Sequence, residues 1–369
     1  MDCSVRYLRG VTEYATLLHA YGLAVDTPGH LAALAGDDPA ARARALEHLW
    51  SAIIHQGTPW TATPPAALEV AALLSDPRVT DPGLRAELLN FLAAVAEAGR
   101  VTGEDLSEPD FDVDAVLAEV LRDGDEEGIW EDERLPDALY LRAVLGCQQI
   151  LPTLLATATA ALSDPSPQVR AAAAYTIGAC GGGDASRLEQ LAEAAGPDER
   201  AALVLAIGDL GIAPRRHLQD PHPGVRACAA LAPALADDPA ATAELLAALD
   251  DPTAADDWFT NRPPQFSTRI RFILLAAAID RLSTPDPLLP AAVRLAGVAT
   301  AHTCDQDWGL LLRTFFARYA GGPLTAVQHA YLSALTANPD LWDPTHGNAA
   351  LAFRDAGLPY DREACRALA

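Results

Sequence analysis

Residues Ser163 to Gly178 read SDPSPQVRAAAAYTIG, and the chain writes a close variant 56 residues on, QDPHPGVRACAALAPA, from Gln219 to Ala234. In the first copy Val169, Ala172, Ala173, Thr176 and Ile177 fall at i, i+3, i+4, i+7 and i+8, one stripe of a helix. Asp164-Pro165 halts whatever helix precedes and permits a tight turn. Ser166 is placed to cap the next helix, with Pro167 at its first position. Gly178 and the run Gly181-Gly182-Gly183 are placed to end it. Small alanines along the stripe allow a neighbouring helix to pack close.

Between the copies lies GPDERAALVLAIGDLG, which carries Arg200 in the place of Arg170 and Arg226, so the arginines are spaced by 30 and 26 residues. A period of that size marks stacked helical hairpins. The longer stretch Ile150 to Gly181, ILPTLLATATAALSDPSPQVRAAAAYTIGACG, resembles a HEAT repeat over both helices, Pro152 included. The resemblance implies an all-α, HEAT-like α-solenoid. It also implies that the turn aspartates and second-helix arginines form a structural ladder, which here means Asp164, Arg170, Asp220 and Arg226. Arg200 departs from the family pattern, because Asp198 lies nearer than the usual aspartate, so its partner stays open. Weaker copies place Arg44, Arg85 and Arg271 in the same role, and Asp-Pro recurs at Asp38, Asp238, Asp251 and Asp286. The resemblance is closest over residues 150–250 and fades beyond 300. The expectation is one solenoid over residues 1–369, with about 40 residues per helical pair.

Composition agrees. Half of the 369 residues are hydrophobic and only 6% are aromatic. The net charge is −24, and every basic side chain is arginine, since the chain has no lysine. That removes phosphate-loop and Schiff-base lysines from consideration. An acidic surface also repels nucleic acid, which is therefore an unexpected partner. Six cysteines are scattered without a C-x-x-C pair. The N-terminal residues lack an apolar signal segment, and the longest uninterrupted apolar run, Phe272 to Ile279, is too short to cross a bilayer. These features predict a cytoplasmic protein with buried, reduced thiols and no membrane contact.

Three stretches break the repeat, and function concentrates in such breaks. The first is HQGTPWTATPP, His55 to Pro65. Gly57 is expected to end the helix that contains Trp50, with Trp60 folded onto the array. His48 and His55, seven apart, share one helical face, but a metal site needs a third ligand. The second is 104–137, an acidic insertion or loop with 15 acidic residues and two arginines, enclosing a short helix DVDAVLAEVL. Asp123, Asp125 and Glu127 occupy positions one, three and five of a calcium-type loop, although Arg134 stands where the closing glutamate belongs. The third is DDWFTNRPPQFSTRIR, Asp256 to Arg271, followed by HTCDQDWGLLLRTFFARY from His302. Trp258, Phe259, Asn261, Arg262 and Trp308 are candidate contact residues here, beside Trp50, His55, Trp60 and Tyr175. The same aromatics would equally well fill space between misaligned repeats. His302, Cys304, Asp305 and Asp307 form a weaker metal candidate.

No nucleophile elbow, dinucleotide fingerprint or Cys/His zinc spacing is present, and no catalytic residue or cofactor is expected. The reading is a non-catalytic scaffold with a groove rimmed by acidic residues, suited to a basic protein or peptide, immunity-like or adaptor-like. The alternative is an enzyme, since some HEAT-like solenoids resemble DNA glycosylases or bilin lyase subunits. Trp50, Trp60 and Trp258 could serve a glycosylase, but the charge opposes it.

Overall fold

The computed structural model describes residues 12–100, 109–123, 128–317 and 319–369. Apart from two short hairpins the regular elements among the described residues are helices, and the chain divides into two compact units, Met1–Leu188 and Glu189–Ala369. Each is taken by itself.

The first unit opens with a β-hairpin, β1 (Leu18–His19) and β2 (Gly22–Leu23), then α1 (Thr27–Leu34) and α2 (Pro39–His48). A π-helical turn, Leu49–Ile53, extends α2 into a second hairpin, β3 (Ile54–His55) and β4 (Thr58–Pro59). Gln56 and Gly57 both have positive φ, 52° and 82°, which suits a two-residue hairpin turn. Gly57 therefore closes a hairpin and does not end the helix of Trp50. The helices α3 (Thr63–Leu73), α4 (Pro82–Gly99), α5 (Val113–Val120), α6 (Gly128–Glu131), α7 (Leu135–Ala161) and α8 (Pro167–Cys180) follow. The pairs α3–α4 and α7–α8 are neighbouring hairpins: α3 packs on α7 and α4 packs on α8. That is the arrangement the Val-Arg copies predict. Helix α8 ends at Gly181 with φ 66°, the left-handed cap expected there.

Helix α5 falls where DVDAVLAEVL was read, and it is more than a solvated element. Val113 and Leu117 are buried with Ile129 and Leu135 in a cluster that includes Leu18 and Leu139. Pro136 lies in the first turn of α7, where its missing N–H costs nothing. Helix α7 has 27 residues and is long and apolar enough to cross a membrane by length and composition. In this structure it packs on α3, α4 and α8.

The second unit takes up α9 (Ala185–Ala194) from Glu189 onward. It continues through α10 (Pro197–Asp209), α11 (Pro223–Ala230), α12 (Pro239–Ala248), α13 (Pro252–Asp256) and α14 (Ile270–Arg281). It closes with α15 (Leu289–Val298), α16 (Trp308–Phe316), α17 (Ala326–Ala337), α18 (Gly347–Asp355) and α19 (Arg362–Leu368). Here α15 packs on α17 and α17 on α19, while α16 packs on α18. The stacking of alternate helices thus continues past residue 300, where the sequence pattern had faded. One core runs through the unit, from Ala201 to Cys365.

Candidate functional site

The repeat arginines share one local rule. Arg42, Arg85, Arg170, Arg200 and Arg226 each stand four residues after a helix N-cap: Asp38, Asp81, Ser166, Gly196 and His222. Each donates to backbone carbonyls of the turn or helix end just before it. Arg42 reaches Gly36 O at 2.6 Å, Arg85 reaches Leu74 O at 2.9 Å, and Arg170 reaches Asp164 O at 2.8 Å. Arg200 donates to Ala192 O and Ala195 O, and Arg226 to Asp220 O at 3.0 Å. Carbonyls at a helix C-terminus lack intrahelical partners, so a charged donor satisfies them. The register residue of α2 is therefore Arg42, and the expected Arg44 is exposed.

The ladder is completed from the helices that follow in the chain. Arg85 Nε donates to Asp164 Oδ2 at 3.0 Å, and Arg200 Nη1 donates to Asp220 Oδ2 at 2.9 Å. The open partner of Arg200 is thus Asp220, while Asp198 accepts from the backbone and side chain of Asn261. Arg226 pairs with Glu244 at 2.8 Å. Ser166 sits at the N-cap without a side-chain cap bond; the backbone N–H of Ser166 instead donates to Asp164 Oδ1 at 2.9 Å. Asp38, Asp238 and Asp251 use the same Asp-Pro dipeptide differently, as true N-caps that accept from the following helix. Arg271 leaves the pattern. It is buried between Asp256 at 3.1 Å and Asp307 at 3.8 Å.

The third break resolves into a pinned connector. Phe259 is buried, stacks on His222 with ring centroids 5.3 Å apart, and lies against Gly224. Trp258 is partly buried against the same core. Asn261 is tied to Asp198, and Arg262 donates to Thr268 O at 2.8 Å. Phe259 thus fills space and is not a displayed anchor. Trp308 is fully buried, its indole N–H bonded to Thr300 O at 2.8 Å, so it leaves the contact set and joins the core. Cys304 is buried; Asp305 bonds Asn348, and Asp307 caps Trp308 through Oδ1 while its Oδ2 is buried without a hydrogen bond, facing Arg271 at 3.8 Å. The calcium reading rests on Asp125 and Glu127, which lie outside the described residues, and on Asp123, of which only the backbone is described.

Trp50 is partly exposed with its edge on Phe91, and Trp60 meets Trp130 edge to face at 5.8 Å. Tyr175 donates to Glu97 at 2.9 Å, joining α8 to α4. Along α4, Glu87 and Glu97 are exposed with half-buried Asn90 and Ala94 between them, at i, i+3, i+7 and i+10.

A histidine cluster gathers at the start of the first unit. His19 closes β1, Asp26 and His30 belong to the entry of α1, and His48 ends α2. His19 Nε2 is 3.0 Å from Asp26 Oδ1, and His48 Nδ1 is 3.9 Å from Asp26 Oδ2. His48 Nε2 meets Thr27 Oγ1 at 2.9 Å in a buried contact. His30 stacks on His48, with centroids 4.2 Å apart and planes 9° from parallel. Burial, with His30 and His19 beside it, pushes the His48 imidazole down to about 4 despite the pull of Asp26. Burial would raise Asp26, but the His19 hydrogen bond and the neighbouring imidazoles outweigh it, and its carboxyl lies below the usual range. Among the described residues, His19, Asp26 and His48 are the group whose ligand atoms lie within 4.8 Å of one another. His55 is not among them. Its Nδ1 lies 2.9 Å from Ser51 O, and its ring meets Tyr21. Sequence reasoning picked out His48 but missed His19 and Asp26, because a hairpin and a helix entry bring them in at no motif spacing.

Residues 154–181, the later part of α7 with α8, match the HEAT repeat family. No curated protein matches the chain. The chain therefore carries a HEAT repeat at 154–181, set within an all-α, HEAT-like fold.

Proposed function

We propose that this chain is a non-catalytic protein-interaction scaffold and that its partner is a basic protein or peptide segment. HEAT repeats generally mediate protein–protein interaction, and a stack of hairpins offers a long face of second helices. The observation that carries the reading is the solvent stripe of α4, where Glu87 and Glu97 stand exposed on a helix packed against the matched repeat. The net charge of −24 extends that field over the molecule and would steer a cationic partner. A cytoplasmic setting accompanies the proposal. Its support is that Cys147, Cys180, Cys228, Cys304 and Cys365 are all unpaired thiols. Burial pushes Cys147 and Cys304 up to about 12, far from reactive thiolates.

Fluorescence anisotropy with a labelled arginine-rich peptide tests the proposal. Binding should weaken with added salt and fall more than about tenfold in a Glu87→Arg/Glu97→Arg variant. Equal binding by wild type and variant would remove this face from the reading. Retention of duplex DNA in place of the peptide would favour the glycosylase alternative.

A further inference from the structure

We infer that His19, Asp26 and His48 form a binding site for a divalent first-row transition ion of the zinc class. Three elements converge to make it: the end of β1, the entry to α1 and the last residue of α2. The donor set is two imidazoles and one carboxylate. Nitrogen-rich sets of this kind select zinc, cobalt or nickel over magnesium and calcium, which take oxygen ligands. Three protein ligands leave a further position for water or substrate.

The surroundings fit. Asp26 occupies the N-cap of α1, yet its carboxylate caps no helix N–H and turns to the imidazoles instead. An aspartate at that position ordinarily bonds the N2 or N3 amide. His48 Nδ1 stands 3.9 Å from Asp26 Oδ2, too long for a hydrogen bond and about half an ångström wider than two ligands around one tetrahedral ion, a gap that a small turn of the exposed carboxylate closes. Its other nitrogen meets the Thr27 hydroxyl at 2.9 Å, the outer contact that holds a ligating ring in place. The rings of His19 and His48 are 74° apart, so both can aim an in-plane lone pair at a shared point. His30 cannot join them. Its plane is nearly parallel to that of His48, so the two in-plane lone pairs do not converge. His19 and His48 are buried while the Asp26 side chain is 53% exposed, which gives an ion an entry from solvent. A π-helical turn follows His48 directly, an irregularity often found at functional sites.

Proton placement sets one structural cost. His19 Nδ1 accepts the backbone N–H of Tyr21 at 3.1 Å, so Nε2 holds the proton and donates to Asp26 Oδ1. An ion at Nε2 requires the other tautomer: the proton moves to Nδ1 and the Tyr21 amide must find another acceptor. Tyr21 is at the exposed hairpin tip, where water can serve. No net proton leaves His19, and the dication with one carboxylate leaves the site at +1.

The test uses the full chain, stripped with chelator and titrated with Zn²⁺ by calorimetry and with Co²⁺ by visible absorption. Expected are one ion per chain, a Co²⁺ ligand-field band, a raised melting temperature, and a shifted Tyr21 amide resonance. Asp26→Asn and His48→Gln should each lose more than about tenfold in affinity, since even outer contacts are worth 10–100-fold. His30→Ala should bind as wild type. Circular dichroism of each variant separates lost ligation from lost folding, and Asp26→Asn, at an exposed carboxylate, keeps the test sound should His48→Gln unfold. Absence of both the calorimetric uptake and the Co²⁺ band in the wild type would overturn the site. So would undiminished binding by a folded Asp26→Asn variant.

Discussion

Arg85 Nε lies 3.0 Å from Asp164 Oδ2 across 79 residues of chain, and the same carboxylate caps the backbone of Ser166 through Oδ1. One aspartate thus ties the α3–α4 hairpin to the turn that opens α8. Both side chains are largely buried, at 19% and 11% exposure, so neither can recover in water what it loses.

Asp164→Ala should therefore destabilise the chain by about 2–4 kcal/mol, the range for breaking a mostly buried charged contact and leaving its partner unpaired. Arg85→Ala should cost a similar amount. The double variant should cost less than the sum, with a coupling of roughly 1 kcal/mol or more in a denaturant cycle. Additive losses would show that the pair is geometric coincidence.

Gly224→Ala should destabilise the second unit. A Cβ built at Gly224 would stand 2.4 Å from the Phe259 ring, so the ring must leave its stack on His222. Overpacking of this kind costs about 1–3 kcal/mol. Adding Phe259→Leu should return part of that loss, which a shift in the urea midpoint would report. An unchanged midpoint for Gly224→Ala alone would mean that the ring moves without penalty.

Asp307 should give stability an unusual pH slope. Burial pushes its carboxyl up to about 6, and the N–H of Trp308, the Thr303 hydroxyl, Arg271 and Arg269 only partly offset this. The folded chain then holds the Asp307 proton more tightly than the unfolded chain does. Its contribution is present below about pH 4 and is lost as pH rises towards 6, by roughly 3 kcal/mol at most. The difference in unfolding free energy, wild type minus Asp307→Asn, should fall across that window and flatten above it. Parallel curves for the two proteins would refute the assignment.

Deleting residues 104–137 should lower the thermal midpoint and not leave the fold intact. The deletion removes Val113, Leu117, Ile129 and Leu135 from the cluster around Leu18 and Leu139. Each large apolar side chain buried there contributes roughly 1.5–3 kcal/mol. A melting curve matching the full chain would show that this cluster adds little.

How much of this was legible depends on the range of the interaction. The stripe Val169 to Ile177 and the left-handed Gly181 are local consequences of side-chain size and backbone freedom, and both appear as read. The N-cap offset of the arginines is local too, yet Arg44 was chosen over Arg42 because Asp38 acts as a true cap and Asp164 does not. The histidine cluster was legible only in His48. Its other members arrive through a hairpin and a helix entry, and pairing between distant segments leaves no periodic trace. Phe259 misled for a related reason: a proline-rich connector reads as exposed until the helices it crosses are known, and Trp308, the first residue of α16, is likewise buried by helices distant in sequence. Beyond residue 300 the Val-Arg signature is gone, but amphipathic helices still stack, because burial of an apolar face needs no conserved dipeptide.

In the turn just before its own helix each anchoring arginine grips main-chain oxygen, so the side chains of that turn are free to vary except where, as at Asp164, one of them also serves the arginine of a neighbouring hairpin. The connections concerned differ widely: eight residues separate α3 from α4, five separate α7 from α8, and two separate α9 from α10. These junctions are accordingly natural grafting points. Foreign loops of unrelated sequence could be spliced in there, provided that a carbonyl still presents itself to the guanidinium waiting one helical turn inside and, between α7 and α8, that Asp164 is kept for Arg85.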